Sequence, residues 1–363
     1  MKRELRCSAL LGGCALLGVC IPLALMQGWP WAGRWLLTSL LLWVLVWMQA
    51  WRRRDLNRLS PESPPYPDLG LANHLTLLRG WLIAATGGFL LLPGIDGFIA
   101  WIPAALYSVA AILDRIDGHL ARRNSRISLL GSELDTVFDA LGLLMAPLLA
   151  VLLGKVHVSY LLVSVAYYVF IAGIRWRRAH GLPVHPLAPS PLRRALAGFQ
   201  MGYVAVVLWP PFDAQVTVPA GFGFMVPVLA GFVVDWLVVS GRIDHRKPSV
   251  AAWFSRFHSL SDSVLQPLLR VIATVAIFIL APLPNSFMAD SLWLAAILLI
   301  LGIGGRLAAL AVLVLLARQF PVASVGPVGL MALFAATGIL LLGCGRFSLW
   351  QGDDRWVNDG NNA

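Results

Sequence analysis

Long apolar runs separated by short polar links constrain this chain more than any other feature of its sequence. Hydrophobic residues make up 58% of its 363 residues and charged residues only 13%, about half the charged share of a soluble domain. A run of about 20 apolar residues is long enough to cross the hydrocarbon core of a bilayer. Because lipid offers exposed backbone groups no hydrogen-bond partner, such runs must be helical. The sequence therefore predicts an all-α, polytopic membrane helical bundle.

The apolar runs predict eleven or twelve membrane spans. Residues 290–320 allow either one kinked element or two helices, and the count depends on them. The first run follows a basic start like that of a signal peptide, but it lacks a convincing cleavage site, so we expect a retained helix. The predicted spans are residues 8–26, 34–50, 78–93, 98–116, 133–153, 157–174, 194–209, 222–240, 266–282, 290–303, 307–320 and 325–344.

The spans divide into three predicted segments. Residues 1–59 hold two N-terminal transmembrane helices, residues 60–250 a core with an interfacial helix over 71–81, and residues 251–363 a C-terminal helical module. Prolines concentrated in residues 60–70 indicate the first boundary, because proline interrupts regular structure. An interfacial connector over residues 251–268 marks the second boundary.

Basic residues cluster at the ends of the apolar runs and give the chain a formal net charge of +10. The clusters fall on alternate links, and therefore on one side of the membrane, which the positive-inside rule makes the cytoplasm. We expect a multi-pass protein of the inner membrane that contacts anionic lipid, and no nucleic-acid partner. The clusters are residues 52–54, 115–126, 175–178, 193–194 and 242–247.

An acidic cluster interrupts the apolar pattern over residues 113–139. Asp114 and Asp117 end one predicted span, and Asp135 and Asp139 begin the next. Spacings of three and four place each pair on one helix face. Because the two spans are antiparallel, we expect the four carboxylates to meet at one membrane depth, on the cytoplasmic side.

Such a cluster requires a compensating cation, because each acid within a membrane costs about 2.5–3.5 kcal/mol. Carboxylate oxygens suit a hard divalent ion such as Mg²⁺, with Mn²⁺ as the alternative. Two ions would stabilise both oxygens of a phosphoryl displacement. Between the aspartates, Gly118, Ala121 and Gly131 leave the helix surface bare, and Arg122 offers a planar fork to a phosphate. This pattern indicates a site for a nucleotide diphosphate.

These residues resemble the signature of the CDP-alcohol phosphatidyltransferase family, and the similarity covers about residues 70–241. The resemblance implies transfer of a substituted phosphate from a CDP-linked alcohol, usually CDP-diacylglycerol, to an acceptor alcohol with release of CMP. The matching residues, at the spacing of that signature, are Asp114-x2-Asp117-Gly118-x2-Ala121-Arg122-x8-Gly131-x3-Asp135-x3-Asp139.

The resemblance also implies roles for single residues. Asp114, Asp117 and Asp135 would be metal ligands, and Asp139 would be the general base that also touches a metal. The nucleotide would be held by residues that match family positions in the signature and in the segment before it. These residues are Asn73, Thr76, Gly118, Ala121, Arg122 and Gly131.

In the family, basic residues beyond this signature bind a phosphate on the acceptor. Arg193 and Arg194 are the candidates here, but the sequence does not identify the alcohol. Homodimers are usual in such families. The C-terminal helices weakly resemble the DoxX-type membrane family.

Two other functions stay open from the residues alone. Membrane prenyltransferases also hold Mg²⁺ with aspartate pairs, although their acidic motifs lie far apart in sequence. A non-catalytic transporter or scaffold could retain the same cluster. The short separation from Asp114 to Asp139 disfavours the first alternative, and the intact Asp139 disfavours the second.

Overall fold

Helices dominate the part of the chain that the computed structural model describes, which is residues 1–123, 126–187, 190–243, 248–281, 286–319 and 326–353. No β-strand occurs in those ranges. The α-helices there are α1 (Lys2–Gln27), α2 (Trp29–Arg52), α3 (Leu71–Gly87), α4 (Trp101–Arg123), α5 (Leu129–Leu152), α6 (Leu161–Ala179), α7 (Pro191–Val207), α8 (Ala214–Val239), α9 (Pro248–Leu260), α10 (Gln266–Leu280), α11 (Phe287–Leu301), α12 (Gly305–Gln319) and α13 (Pro327–Leu342).

Six helical segments among the described residues are long and apolar enough to cross a membrane. Two shorter apolar helices, α11 and α13, accompany them. The prediction of an all-α, polytopic membrane protein is therefore confirmed. The six segments are Lys2–Gln27, Trp29–Arg52, Leu129–Leu152, Val158–Ala179, Ala214–Val239 and Ser255–Leu280.

The helix bounds decide two details of the predicted spans. The predicted interfacial helix at 71–81 and the following span form one continuous helix, α3. Residues 290–320 form two helices rather than one kinked element, because the chain leaves the helical conformation between α11 and α12. Gly302 and Gly304 adopt positive φ angles of 65° and 55° there, which glycine tolerates and other residues avoid.

The helices form two compact units. The first contains Met1–Gly154 with Val204–Pro210, and the second contains Lys155–Tyr203 with Pro211–Ala363. The segment boundaries expected near residues 60 and 251 stay predictions.

Helix α3 is the centre of the first unit, where it packs against α2, α4 and α5. Glycine permits the close approach to α2, since a Cβ on Gly80 would lie 2.6 Å from Val46 Cγ1. The buried Trp35 indole donates a hydrogen bond to the Ala85 carbonyl at 3.2 Å. Consequently most of α3 is buried, and any polar side chain on it must find a partner inside the unit.

In the second unit, α8 packs against α6 and α13, and α10 packs against α11 and α13. The buried Arg270 on α10 satisfies carbonyls at the ends of its neighbours. Its guanidinium donates to the Leu299 carbonyl at 2.8 Å and to the Ile300 carbonyl at 2.5 Å, both in the last turn of α11, and to the Phe347 carbonyl beyond α13 at 2.9 Å. Carbonyls at helix C-termini carry partial negative charge, so they can compensate a buried cation. We therefore assign Arg270 a structural role.

Candidate active site

Three aspartates of the acidic cluster meet in the first unit. Asp114 lies on α4, and Asp135 and Asp139 lie one turn apart on α5. One carboxylate oxygen from each aspartate lies within 4.8 Å of the other two. The predicted convergence of these three side chains is therefore observed.

The start of α5 explains why its aspartates face this centre. Ser128 caps the helix, and its hydroxyl accepts a hydrogen bond from the Gly131 amide at 3.0 Å. Leu130, Leu134 and Phe138 then recur every four residues and are fully buried. Asp135 and Asp139 each follow one member of this stripe, so they lie at its edge and remain partly exposed.

Arg79 of α3 lies at the centre of the aspartates. Only 1% of its side chain is exposed, and it forms an ion pair with Asp114. Its Nη2 lies 2.8 Å from Asp135 Oδ1 and 3.2 Å from Asp139 Oδ1. The guanidinium thus joins all three carboxylates, and it donates a further hydrogen bond to the Asp135 backbone carbonyl.

Arg79 is not among the predicted site residues, although the sequence carries a signal for it. Asn73, Thr76 and Arg79 recur at intervals of three residues, which places them along one side of α3. An arginine inside an otherwise apolar helix is costly unless it is paired. The pattern indicates that such an arginine needs a carboxylate partner, but it does not say which one.

The donor set of this centre fits a hard divalent cation. Three carboxylates at −1 each and one guanidinium at +1 leave a formal charge of −2. Oxygen ligands are those that Mg²⁺ and Mn²⁺ prefer. One ion would therefore neutralise the described centre, and Asp114, Asp135 and Asp139 are the residues that could hold it.

Tyr107 of α4 is a second residue near the centre that is not among the predicted site residues. Its ring is buried, and its hydroxyl has no hydrogen-bond partner among the described residues. The phenol lies close enough to Asp139 and Arg79 to interact with their charges. Gly142 of α5 lies beside the ring, since a Cβ there would be in van der Waals contact with Tyr107 Cε2 at 3.5 Å.

Two predicted nucleotide-binding residues of α3 are buried beside the start of α5. The Asn73 amide donates to the Leu69 carbonyl at 2.8 Å and lies 3.2 Å from Ser128 Oγ. The Thr76 hydroxyl donates to the Ala72 carbonyl at 3.0 Å. Their contacts are therefore with the protein itself, and their role toward a nucleotide stays a prediction.

Gly131, a third predicted nucleotide contact, is tightly packed. We expect Gly131→Ala to lower the free energy of unfolding by about 1–3 kcal/mol, the usual cost of overpacking. Its Cβ would lie 2.7 Å from Asn73 Oδ1 and 3.2 Å from Ser128 Oγ. Thermal unfolding in detergent measures the change. Gly202→Ala is the matched control, since that Cβ meets nothing within 4 Å. Equal losses in the two variants would contradict this packing.

The other predicted residues of the signature lie on the last turns of α4. Gly118 is partly exposed there. Asp117, Ala121 and Arg122 belong to the same helix, but their side chains lie outside the described residues. Their roles as metal ligand and nucleotide contacts stay predictions.

The predicted acceptor residues Arg193 and Arg194 lie in the first turn of α7, in the second unit. Both are exposed. Arg193 Nε forms an ion pair with Asp235 Oδ2 of α8 at 3.0 Å. This pair fixes the position of one guanidinium, and the assignment of both arginines to an acceptor stays a prediction.

The fold and the carboxylate centre define a polytopic helical membrane protein with an acidic site whose three aspartates could hold a metal ion. A family comparison makes this more specific: residues 69–239 match the model of the CDP-alcohol phosphatidyltransferase family. The resemblance found in the aspartate signature is thereby confirmed. Proteins of this family are transferases of substituted phosphate groups that act on a CDP-alcohol. Comparison with curated proteins and with solved structures gives no match.

Proposed function

We propose that this protein transfers a substituted phosphate, in particular a phosphatidyl group, from CDP-diacylglycerol or a similar CDP-alcohol to an acceptor alcohol. CMP is the second product, and the role is phospholipid biosynthesis. One observation carries the proposal: three carboxylates converge within 4.8 Å inside the region that matches the family. A membrane-embedded helical protein suits a lipid-linked donor, because such a substrate enters from the bilayer.

Asp139 is the general base in this proposal. An alcohol is a weak nucleophile near neutral pH, and a positioned base contributes about 10²- to 10⁴-fold to the rate. Asp139 takes the hydroxyl proton while the acceptor oxygen bonds to the lipid-linked phosphorus. The phosphoanhydride bond breaks, and its electron pair leaves with CMP. Arg79 Nη2 lies 3.2 Å from Asp139 Oδ1 and orients this carboxylate toward the acceptor hydroxyl.

Asp114, Asp117, Asp135 and Asp139 are the proposed ligands of two Mg²⁺ or Mn²⁺ ions. When bound, such ions supply charge neutralisation of the diphosphate and of the departing CMP. Arg79 compensates part of the negative charge without supplying a metal ligand. Its ion pairs with Asp114 and Asp135 keep the aspartates of α4 and α5 together.

Arginines account for the proposed recognition of the phosphates on both substrates. Arg122 binds the diphosphate of the donor, and Arg193 and Arg194 bind a phosphate or other anion on the acceptor. The remaining signature residues leave space for the cytidine, as the family resemblance implies. We further propose an inner-membrane location with the site facing the cytoplasm, and a homodimeric assembly.

Release of CMP tests the proposal. Purified protein in lipid nanodiscs receives CDP-diacylglycerol, Mg²⁺ and one acceptor at a time from a panel of alcohols, including glycerol 3-phosphate and inositol. We expect CMP release with at least one acceptor and none after chelation of divalent cations. Folded protein that releases no CMP with any acceptor would overturn the proposed function.

A further inference from the structure

The N-terminal linker, residues 57–70, contacts residues 126–129, which lead into α5. The Tyr66 hydroxyl donates to the Ile127 carbonyl at 3.2 Å, and the Leu129 amide donates to the Arg58 carbonyl at 2.9 Å. Arg126 forms an ion pair with Asp68. Nearly all of this linker precedes the region that matches the family. Residues outside the matched region therefore fix the entry to the helix that carries two of the aspartates.

Asn57 is the buried centre of this contact, with none of its surface exposed. Its Nδ2 donates to the Asp68 carbonyl at 2.7 Å, and its Oδ1 accepts from Asn73 Nδ2 at 3.1 Å. Asn73 in turn contacts Ser128 Oγ, which accepts from the Gly131 amide at 3.0 Å. A continuous chain of hydrogen bonds thus runs from the linker to the first turn of α5.

This chain fixes the orientation of the Asn73 amide. An amide nitrogen has two hydrogens, but three acceptors lie near Asn73 Nδ2: the Leu69 carbonyl at 2.8 Å, Asn57 Oδ1 at 3.1 Å and Ser128 Oγ at 3.2 Å. We infer that the two nearer acceptors take the two hydrogens. Ser128 must then donate its hydroxyl hydrogen to Asn73 Oδ1, which lies 3.3 Å away. The lone pairs of that hydroxyl remain directed at the Gly131 amide. Without Asn57, the Asn73 amide loses one of its two acceptors, and Ser128 is no longer required to donate to Asn73 Oδ1.

We propose that Asn57 is a positioning residue for the nucleotide donor, acting through Asn73 and Ser128 on Gly131. The inference rests on the proposed function, in which Asn73 and Gly131 contact the nucleotide. The donor site is then incomplete without the N-terminal linker. Asp139 lies two turns beyond Gly131 and is held independently by Arg79. The chemical step therefore does not depend on the hydrogen bonds that run from Asn57 to Gly131.

Steady-state kinetics of Asn57→Ala test the proposal. We expect the KM for the CDP-lipid to rise about 5- to 20-fold, as loss of one buried hydrogen-bond partner predicts. The acceptor KM and kcat should stay within about twofold. Ser63→Ala is the matched control, because that hydroxyl bonds Ser60 within the same linker at 2.7 Å. This variant should retain the wild-type donor KM.

Ser128→Ala interrupts the same run of hydrogen bonds closer to Gly131. We expect the double variant Asn57→Ala/Ser128→Ala to show no larger rise in donor KM than the stronger single variant, because both act through one route. Hydrogen exchange of a peptide covering residues 126–134 should also speed up in Asn57→Ala, because the Gly131 amide loses an ordered acceptor. If Asn57→Ala does not fold, Asn57→Ser is measured in the same way.

The outcomes separate this inference from the proposed function. An active wild type together with an unchanged donor KM in the folded Asn57 variant overturns the inference alone. Fully additive effects in the double variant also overturn it. A wild type that releases no CMP overturns the proposed function and the inference with it.

Discussion

Replacement of Asp139 by asparagine should reduce kcat by at least about a hundredfold, the lower end of what a positioned general base contributes. The amide has nearly the same shape as the carboxylate but cannot take a proton. Arg79 retains its contacts with Asp114 and Asp135 in this variant, so the centre should stay assembled. We therefore expect CMP to bind with a dissociation constant within about threefold of the wild-type value.

CMP release under saturating substrates measures kcat, and isothermal titration calorimetry measures CMP binding. Asp290→Asn, which makes the same chemical change at an exposed position in the first turn of α11, is the control and should retain activity. Equal turnover in Asp139→Asn and the wild type would refute the assignment of the base. Loss of CMP binding together with turnover would instead show that the substitution disrupts the centre.

Replacement of Arg79 by methionine should lower the free energy of unfolding by about 2–4 kcal/mol when divalent cations are absent. Breaking a fully buried ion pair costs about 3–5 kcal/mol. We expect a smaller loss here because the Asp135 and Asp139 side chains are 48% and 37% exposed. Three carboxylates would remain with a formal charge of −3 in place of −2. A divalent cation should therefore stabilise the variant more than it stabilises the wild type.

Thermal unfolding in detergent, with a chelator and then with Mg²⁺, measures both effects. Arg53→Met is the matched control, because Arg53 pairs with Glu133 of α5 at 3.6 Å where both side chains are accessible to solvent. Such a surface pair contributes less than about 1 kcal/mol. If Arg79→Met unfolds at the wild-type temperature in chelator, Arg79 does not hold the centre together.

Local sequence patterns predicted most of the architecture. Apolar runs located the helices, since length and hydropathy are properties of a continuous segment. The three- and four-residue spacings of the aspartates predicted a shared face for each pair, and the short connection predicted that α4 and α5 would bring them together. Three of the four carboxylates do meet, and the Asp117 side chain lies outside the described residues.

Long-range pairing was not predictable in the same way. Arg79 lies 35 residues from Asp114 and 56 from Asp135, and the helical periodicity of α3 does not select partners on other helices. Asn57 poses the same problem, because a polar residue near a proline-rich stretch ordinarily indicates a solvated link. Its burial results from tertiary packing of the linker against α3 and the start of α5.

The fate of the lipid-linked phosphate of the donor distinguishes phosphatidyl transfer from hydrolysis of the donor. CDP-diacylglycerol labelled with ³²P at the phosphate attached to diacylglycerol is incubated with the wild-type protein in nanodiscs, Mg²⁺ and the acceptor that supports CMP release. We expect the label to move into a new phosphodiester lipid, with one unlabelled CMP formed for each lipid produced. Label recovered in a nucleotide or as inorganic phosphate, with no labelled phosphodiester lipid, would contradict the proposed transfer.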